Sequence, residues 1–493
     1  MEKQDSYSHI LKYTGIFGSV QGLNILIGLV RNKLVALILG PVGMGTVALF
    51  TSTVKLLGDA TNLGLPMSAV REISEAFERG DAKAISRLIS VFRLWCWLTA
   101  FVGMLLCVAL SQLLSSWTFS FGNHTLHFIA LSPVVALTTI TAGETAILKA
   151  TRRLRSLAIQ SVYGVLAALL LSVPIYYFFG MKGIVPSLVI VALAQMAITI
   201  AFSFRLYPVS FTLSKGVFVR GFGFVRLGLA FVGGSVMGSA TEFLIRSYLN
   251  NVGQVEVVGL YNAAYMMVFT YAGMVFTAME TDYYPRLSAV PMVGRQLNDT
   301  VNMQIEASLL LISPLLVVFV VSMPVLLPLL YSGKFLPVLP MLQMASLSMY
   351  ARAVFLPIEY ISLSRADSFS FLTIELISYA ALAVLVIFGY DTYGLFGTGL
   401  AITVSGFLET IVVYVFYHRR YKFILSRNVV RVMAAQFPIG LAAYLATFIN
   451  STIAYVLVSL GLFIVSLSYS LFVIRRNTHF AEKLKEKIFK KMR

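Results

Sequence analysis

The chain has 493 residues, of which 58% are hydrophobic and 12% charged, with a mean hydropathy of +0.85. Soluble domains carry roughly 25% charged residues, so this composition excludes a water-soluble globular protein. A formal net charge of +17 would suggest nucleic acid in a soluble chain, but here the excess sorts to one side of a membrane map and no nucleic-acid partner is expected.

Residues 1–13 are polar and mixed in charge, and they lack the short apolar core and small-residue cleavage site of a signal peptide. Beyond them the hydrophobicity falls into runs of about 20 residues or more, each matching a ~30 Å hydrocarbon core at 1.5 Å per residue. Spans are expected at roughly 12–39, 42–66, 88–114, 125–149, 156–180, 184–207, 222–249, 257–284, 303–331, 338–363, 368–390, 394–418, 428–449 and 452–474. The expected fold class is an all-α polytopic membrane protein of about fourteen transmembrane helices. Connections are short, the longest at 67–87, 208–221 and 285–302, and no soluble domain is inserted.

Cationic side chains test this map independently, because cytoplasmic loops carry the excess of Lys and Arg. With a cytoplasmic N-terminus, the outward loops hold only Lys182 and Lys334. Arg31, Lys33, Lys55, Arg246 and Arg352 lie within spans, and the rest of the 38 cations, Arg93 among them, fall on the cytoplasmic side. Both termini are thus expected in the cytoplasm, and the protein in a bacterial cytoplasmic (inner) membrane. In the basic tail, Phe480, Leu484, Ile488 and Met492 recur every four residues among lysines. They form either an amphipathic helix on the anionic leaflet or a frayed tail.

The second and eighth spans share a pattern. Each enters at a glycine, Gly45 or Gly259, and ends at a proline, Pro66 or Pro285, before a cytoplasmic arginine, Arg71 or Arg286. Offsets of about 214 to 219 residues relate the two, which suggests internal duplication of the kind that builds transporters. Two six-helix lobes are expected at 1–207 and 208–421, with two extra helices across 422–474 and a tail at 475–493.

An ionisable group at the bilayer centre costs about 2.5–3.5 kcal/mol on insertion scales, so each needs a reason. Arg31 and Lys33 have no neighbouring acid in sequence, and either line a cavity that attracts an anion or reach the membrane surface. Glu242 and Arg246 are spaced i,i+4, as are Lys55 and Asp59 in the less favourable order. Arg352 and Glu359, seven residues apart, share a face. Lys55, Arg246 and Arg352 join Arg31 and Lys33 as candidate substrate-binding cations. Asp59, Glu242, Glu144, Glu280 and Glu359 are candidate acids for proton or Na⁺ coupling, with Glu375 and Glu409 as further acids at span edges.

Cys96 and Cys107, three helical turns apart, read as small packing residues. His124 and His127 lack a third ligand, so no metal and no cofactor are expected. Prolines inside spans, including Pro133, Pro174, Pro314, Pro324, Pro328 and Pro357, permit bends.

The stretches "VRNKLVALILGPVGMGTVALF", "NLGLPMSAVREISE", "LKATRRLRSLAIQSVYG" and "TDYYPRLSAV" resemble the polysaccharide transporters. These are the Wzx-type O-antigen and capsule-unit flippases of the multidrug/oligosaccharidyl-lipid/polysaccharide (MOP) exporter superfamily. The resemblance runs along the whole chain. It implies two bundles around a central cavity, alternating access, a polyprenyl-diphosphate-linked glycan as substrate, and association with polysaccharide polymerase machinery. A MATE-like exporter of small molecules is the alternative, although first-span cations with no acid nearby in sequence favour an anionic cargo. A membrane enzyme acting on lipid-linked glycans fits less well. The outward loops are short, and no nucleophile–base motif or P-loop is present.

Overall fold

The computed structural model describes residues 2–119, 122–208, 215–291, 293–365 and 367–477. Side chains are excepted at 2–19, 21, 215–223, 226–227, 229–231, 277–282 and 285. The tail residues Phe480 to Met492 and the side chain of Glu280 lie outside this description.

In lipid every backbone N–H and C=O must be satisfied within its own segment, which leaves the helix as the solution for long apolar runs. The protein is accordingly an all-α polytopic membrane protein. Its α-helices are α1 (Glu2–Thr61), α2 (Leu65–Glu78), α3 (Ala82–Ala109), α4 (Ser111–Thr118), α5 (Thr125–Ala150), α6 (Leu154–Phe179), α7 (Ile184–Leu206) and α8 (Lys215–Tyr265). They continue with α9 (Met274–Ser288), α10 (Arg295–Leu330), α11 (Leu339–Ser346), α12 (Ser348–Ser364), α13 (Ser368–Tyr421), α14 (Arg427–Ala446) and α15 (Thr452–Asn477). A π-helical segment, Met266–Ala272, joins α8 to α9.

Among the described residues, eight stretches of these helices are long and apolar enough to cross a membrane. Three of them, of 40, 53 and 54 residues, are too long for one crossing. Each contains a break, at Gly40, at the 3₁₀ turn Gly180–Gly183 and at Tyr393–Gly394, and so supplies two. Segment α8, broken at Gln254 and continued through the π turn into α9, adds two more. The α11–α12 pair adds the last, giving the fourteen crossings the sequence predicts.

Two expectations are corrected. The connection at 67–87 is largely helix α2, because Leu65, Ala69, Ile73 and Ala76 recur at one-turn spacing. They bury their apolar face in a cluster with Ile89, Phe92 and Ile147. Burying a leucine or isoleucine this fully contributes about 1.5–3 kcal/mol, enough to fix a short helix whose outer face carries Arg71 and Glu75. The span at 338–363 is interrupted at Leu347, between α11 and α12. Caps also follow the sequence: Asp81 accepts from the Ala84 amide at 2.9 Å and starts α3. The spacing of Cys96 and Cys107 turns both thiols towards α5, onto the carbonyls of Thr139 and Phe128.

The chain groups into two compact units, residues 1–262 with 329–334, and residues 263–328 with 335–493. Each carries its own internal polar site.

Candidate functional site

In the first unit the site begins on α1. Thr51, Lys55 and Asp59, spaced one turn apart, fall on one face and line a cavity of about 380 Å³. Thr138 of α5 and Gln195 of α7 close it. The sequence pairs Lys55 with Asp59, but the Lys55 ammonium instead donates to Glu242 of α8 at 3.0 Å. Asp59 keeps the Ser239 hydroxyl beside it and lies within electrostatic reach of Lys55 and Glu242. Side chains on a helix lean towards its N-terminus, so Lys55 leans away from Asp59 one turn ahead, the unfavourable order for an i,i+4 pair.

Glu242 also accepts from Arg246 Nη1 at 3.2 Å, as the i,i+4 spacing predicts. The other face of that guanidinium donates to Asn262 Oδ1 at 3.0 Å. Arg246 is 8% exposed, and its Nε finds no acceptor among the described residues. A single carboxylate therefore holds two cations from two helices, one of them buried with an N–H to spare. A guanidinium with a free edge is suited to an incoming oxyanion.

Arg31 turns elsewhere. Its Nε donates to Ser172 Oγ of α6 at 3.0 Å; neither it nor Lys33 lines the cavity, and Glu242 and Arg246, also outside the lining, join it only through Lys55. Glu144, a candidate coupling acid, is committed to Arg93, which the sequence assigns to the cytoplasmic side. Arg93 Nε and Nη2 donate to the two carboxylate oxygens at 2.9 Å each, with both side chains at most 3% exposed. Ser203 Oγ donates to the same carboxylate at 2.6 Å, and Arg93 Nη1 donates to the Tyr207 carbonyl at 2.7 Å. With each guanidinium nitrogen bonded, this bidentate pair fastens α3, α5 and α7 together, and Glu144 is not part of the cavity lining.

The second unit carries the opposite balance. A cavity of about 270 Å³ is lined by Arg352 and Glu359 of α12, Glu375 and Tyr379 of the first half of α13, and Glu409 of its second half. The seven-residue spacing of Arg352 and Glu359 does put both on one wall. Fully ionised, the cluster holds three negative charges against one positive, a net excess of two that two protons or monovalent cations would balance. The Arg352 guanidinium stands 5.6 Å from the Phe269 ring and 5.8 Å from the Phe276 ring. Such contacts contribute about 0.5–2 kcal/mol. Phe269 sits in the π-helical segment, a distortion frequent at functional sites.

His124 and His127 stack with each other and with Phe119 and Phe50, an aromatic packing that sequence spacing does not reveal.

Solved structures share this fold. One is an inward-facing multidrug resistance MATE family transporter of the MOP superfamily. It is 14% identical over 83% of this chain and 98% of that one, with a TM-score of 0.67. The lipid II flippase MurJ, in an inward closed conformation, is 13% identical over 93% of this chain and 99% of that one, with a TM-score of 0.73. A MOP superfamily transporter from Pyrococcus furiosus, described as having a binding pocket of reverse polarity, is 13% identical over 83% and 94%, with a TM-score of 0.54. No curated protein sequence matches the chain. At these identities the likeness is one of fold. The model of the polysaccharide biosynthesis protein family matches residues 10–290, over half the chain, and the protein belongs to that family, as its resemblance to the polysaccharide transporters implies.

Proposed function

We propose that the protein is a flippase that carries a polyprenyl-diphosphate-linked oligosaccharide, an O-antigen or capsule-type repeat unit, from the cytoplasmic to the outer leaflet. It works by alternating access in a bacterial inner membrane, with both termini cytoplasmic, and hands its cargo to polysaccharide polymerase machinery. The observation that carries this reading is the meeting of Lys55 and Arg246 on Glu242 inside membrane-spanning helices. Cations kept in hydrocarbon at a cost of about 2.5–3.5 kcal/mol each have a use if an anionic cargo displaces Glu242 as their partner. A diphosphate offers the bidentate oxygens a guanidinium prefers. Membership of the polysaccharide biosynthesis family and the fold likeness to a lipid II flippase support the class of cargo. The acids around Arg352 supply the coupling site, taking up a proton or Na⁺ as the cargo moves. No bond is made or broken, and the protein is not an enzyme.

Complementation tests this. A strain lacking its own O-unit flippase should recover surface polysaccharide with the wild-type protein and not with Arg246→Ala or Lys55→Ala at equal expression. Rescue by both variants would remove the cationic site from the account.

A second reading, export of small organic cations, draws on the three carboxylates beside Tyr265 and Phe269 in the second cavity and on the MATE fold likeness. Raised drug resistance on expression, without rescue of polysaccharide, would favour it.

A further inference from the structure

Helices α1 and α8 break at residues 214 apart in sequence, Gly40 and Gln254, and the two breaks share one backbone conformation. Gly40 has φ 65°, ψ −169° and Gln254 has φ 77°, ψ 163°. Five residues beyond each break stands a glycine, Gly45 and Gly259, and the two are packed on each other within the first unit. A Cβ on Gly45 would lie 2.1 Å from the Val255 carbonyl oxygen and 2.9 Å from the Gly259 nitrogen. A Cβ on Gly259 would lie 1.9 Å from the Pro41 carbonyl oxygen and 3.0 Å from the Gly45 nitrogen. Pro41 and Val255 are themselves 214 apart, so the contact is reciprocal, each segment meeting the other through equivalent atoms as in an isologous interface. No side chain separates the two backbones.

The symmetry is broken at one place. The conformation shared by the two breaks is open to glycine and strained for any residue with a Cβ, and α8 has glutamine there. Gln254 is exposed, and its neighbour Val255 is the residue whose carbonyl meets Gly45 in the seam.

We propose that this seam is a hinge-backed gate: Gln254 relaxes to an ordinary conformation when Gly45 and Gly259 separate, and the seam closes only at the cost of straining it. The strain favours reopening after each closure. The idea rests on the flippase reading, in which residue 40 lies on the outer side of the membrane. The seam then governs release of cargo outward.

Impermeant maleimide labelling from outside the cell tests it, with Thr138→Cys in the first-unit cavity as the reporter and Cys96 and Cys107 replaced by alanine. Gln254→Gly removes the penalty for closure and should lower the labelling rate at least threefold. Gly259→Val wedges the seam and should raise the rate at least threefold. Since the wedge could prevent folding, Gln254→Gly decides: an unchanged labelling rate in that variant overturns the proposal. Failure of the flippase reading is distinguishable, because it appears as absence of complementation by the wild-type protein, whatever the labelling shows.

Discussion

Lys55 of α1 and Glu242 of α8 lie 187 residues apart in sequence and 3.0 Å apart in space. The same carboxylate holds Arg246 one turn further along α8, so one acid restrains two cations, its own helix neighbour and a lysine that sequence spacing pairs with Asp59.

Removing that acid strands both. Breaking a buried ion pair costs about 3–5 kcal/mol, but the Glu242 side chain is 25% and that of Lys55 52% exposed, so about 1–3 kcal/mol is expected for Glu242→Gln. Thermal unfolding in detergent should show a midpoint several degrees lower. Combining it with Lys55→Gln should cost less than the sum of the two changes, by about 1 kcal/mol. Strict additivity would mean that the pair does not couple in solution.

The Arg93–Glu144 clamp makes a sharper claim, since neither side chain is more than 3% exposed. Glu144→Ala leaves a buried guanidinium beside Ser203, the Tyr207 carbonyl and the Phe204 ring without its carboxylate, and a loss of about 3–5 kcal/mol is expected. Arg93→Met with Glu144→Leu should recover most of that stability. Recovery of transport along with it would assign the clamp a purely structural role, as its absence from both cavity linings suggests.

In the second unit, replacing Glu359 or Glu409 with glutamine removes one of three carboxylates around Arg352 while keeping shape. Under the coupling proposal, uptake of lipid-linked glycan into proteoliposomes should lose its dependence on an imposed proton or Na⁺ gradient, with the driven rate falling at least tenfold. A gradient dependence unchanged in both variants would move coupling away from this cavity.

At the start of α13, Asp367 accepts from Tyr421, from Ser370 and from Arg420. Burial pushes its carboxyl upward, but these hydrogen bonds outweigh burial and hold it at about 2, below its ordinary value of 3.8. A carboxyl depressed in the folded state contributes stability that is present above pH 3.8 and lost as pH falls through about 2. Asp367→Asn should therefore be less stable than wild type at pH 5, and the gap should narrow as the pH is lowered towards 2. A constant gap across that interval would show that the charge is not what the capping network holds.

The crossings were legible because a lipid core imposes a length on apolar runs, and even the doubled helices declare themselves by exceeding it. Helix α2 was not, because its buried face consists of Leu65, Ala69, Ile73 and Ala76 scattered among charges, a pattern too short to outweigh a loop reading. Within the sites, spacing foretold what lies on one helix: Glu242 with Arg246, Arg352 with Glu359. It could not foretell partners on other helices. Lys55 reaching Glu242, Arg93 reaching Glu144 and Arg31 reaching Ser172 are all tertiary choices, set by which helix face stands opposite. The aromatic walls around Arg352 escaped for the same reason, since Phe269 and Phe276 look like any apolar residues of a span.

The four charged side chains of the first-unit site, Lys55 and Arg246 against Glu242 and Asp59, sum formally to zero. A carrier that returns unloaded therefore moves no net charge from these residues through the membrane's electric field, where each elementary charge would be worth about 2.3 kcal/mol per 100 mV. Any voltage sensitivity of the empty reset then comes from charges elsewhere, such as the Arg352 cavity with its three carboxylates, and not from this site.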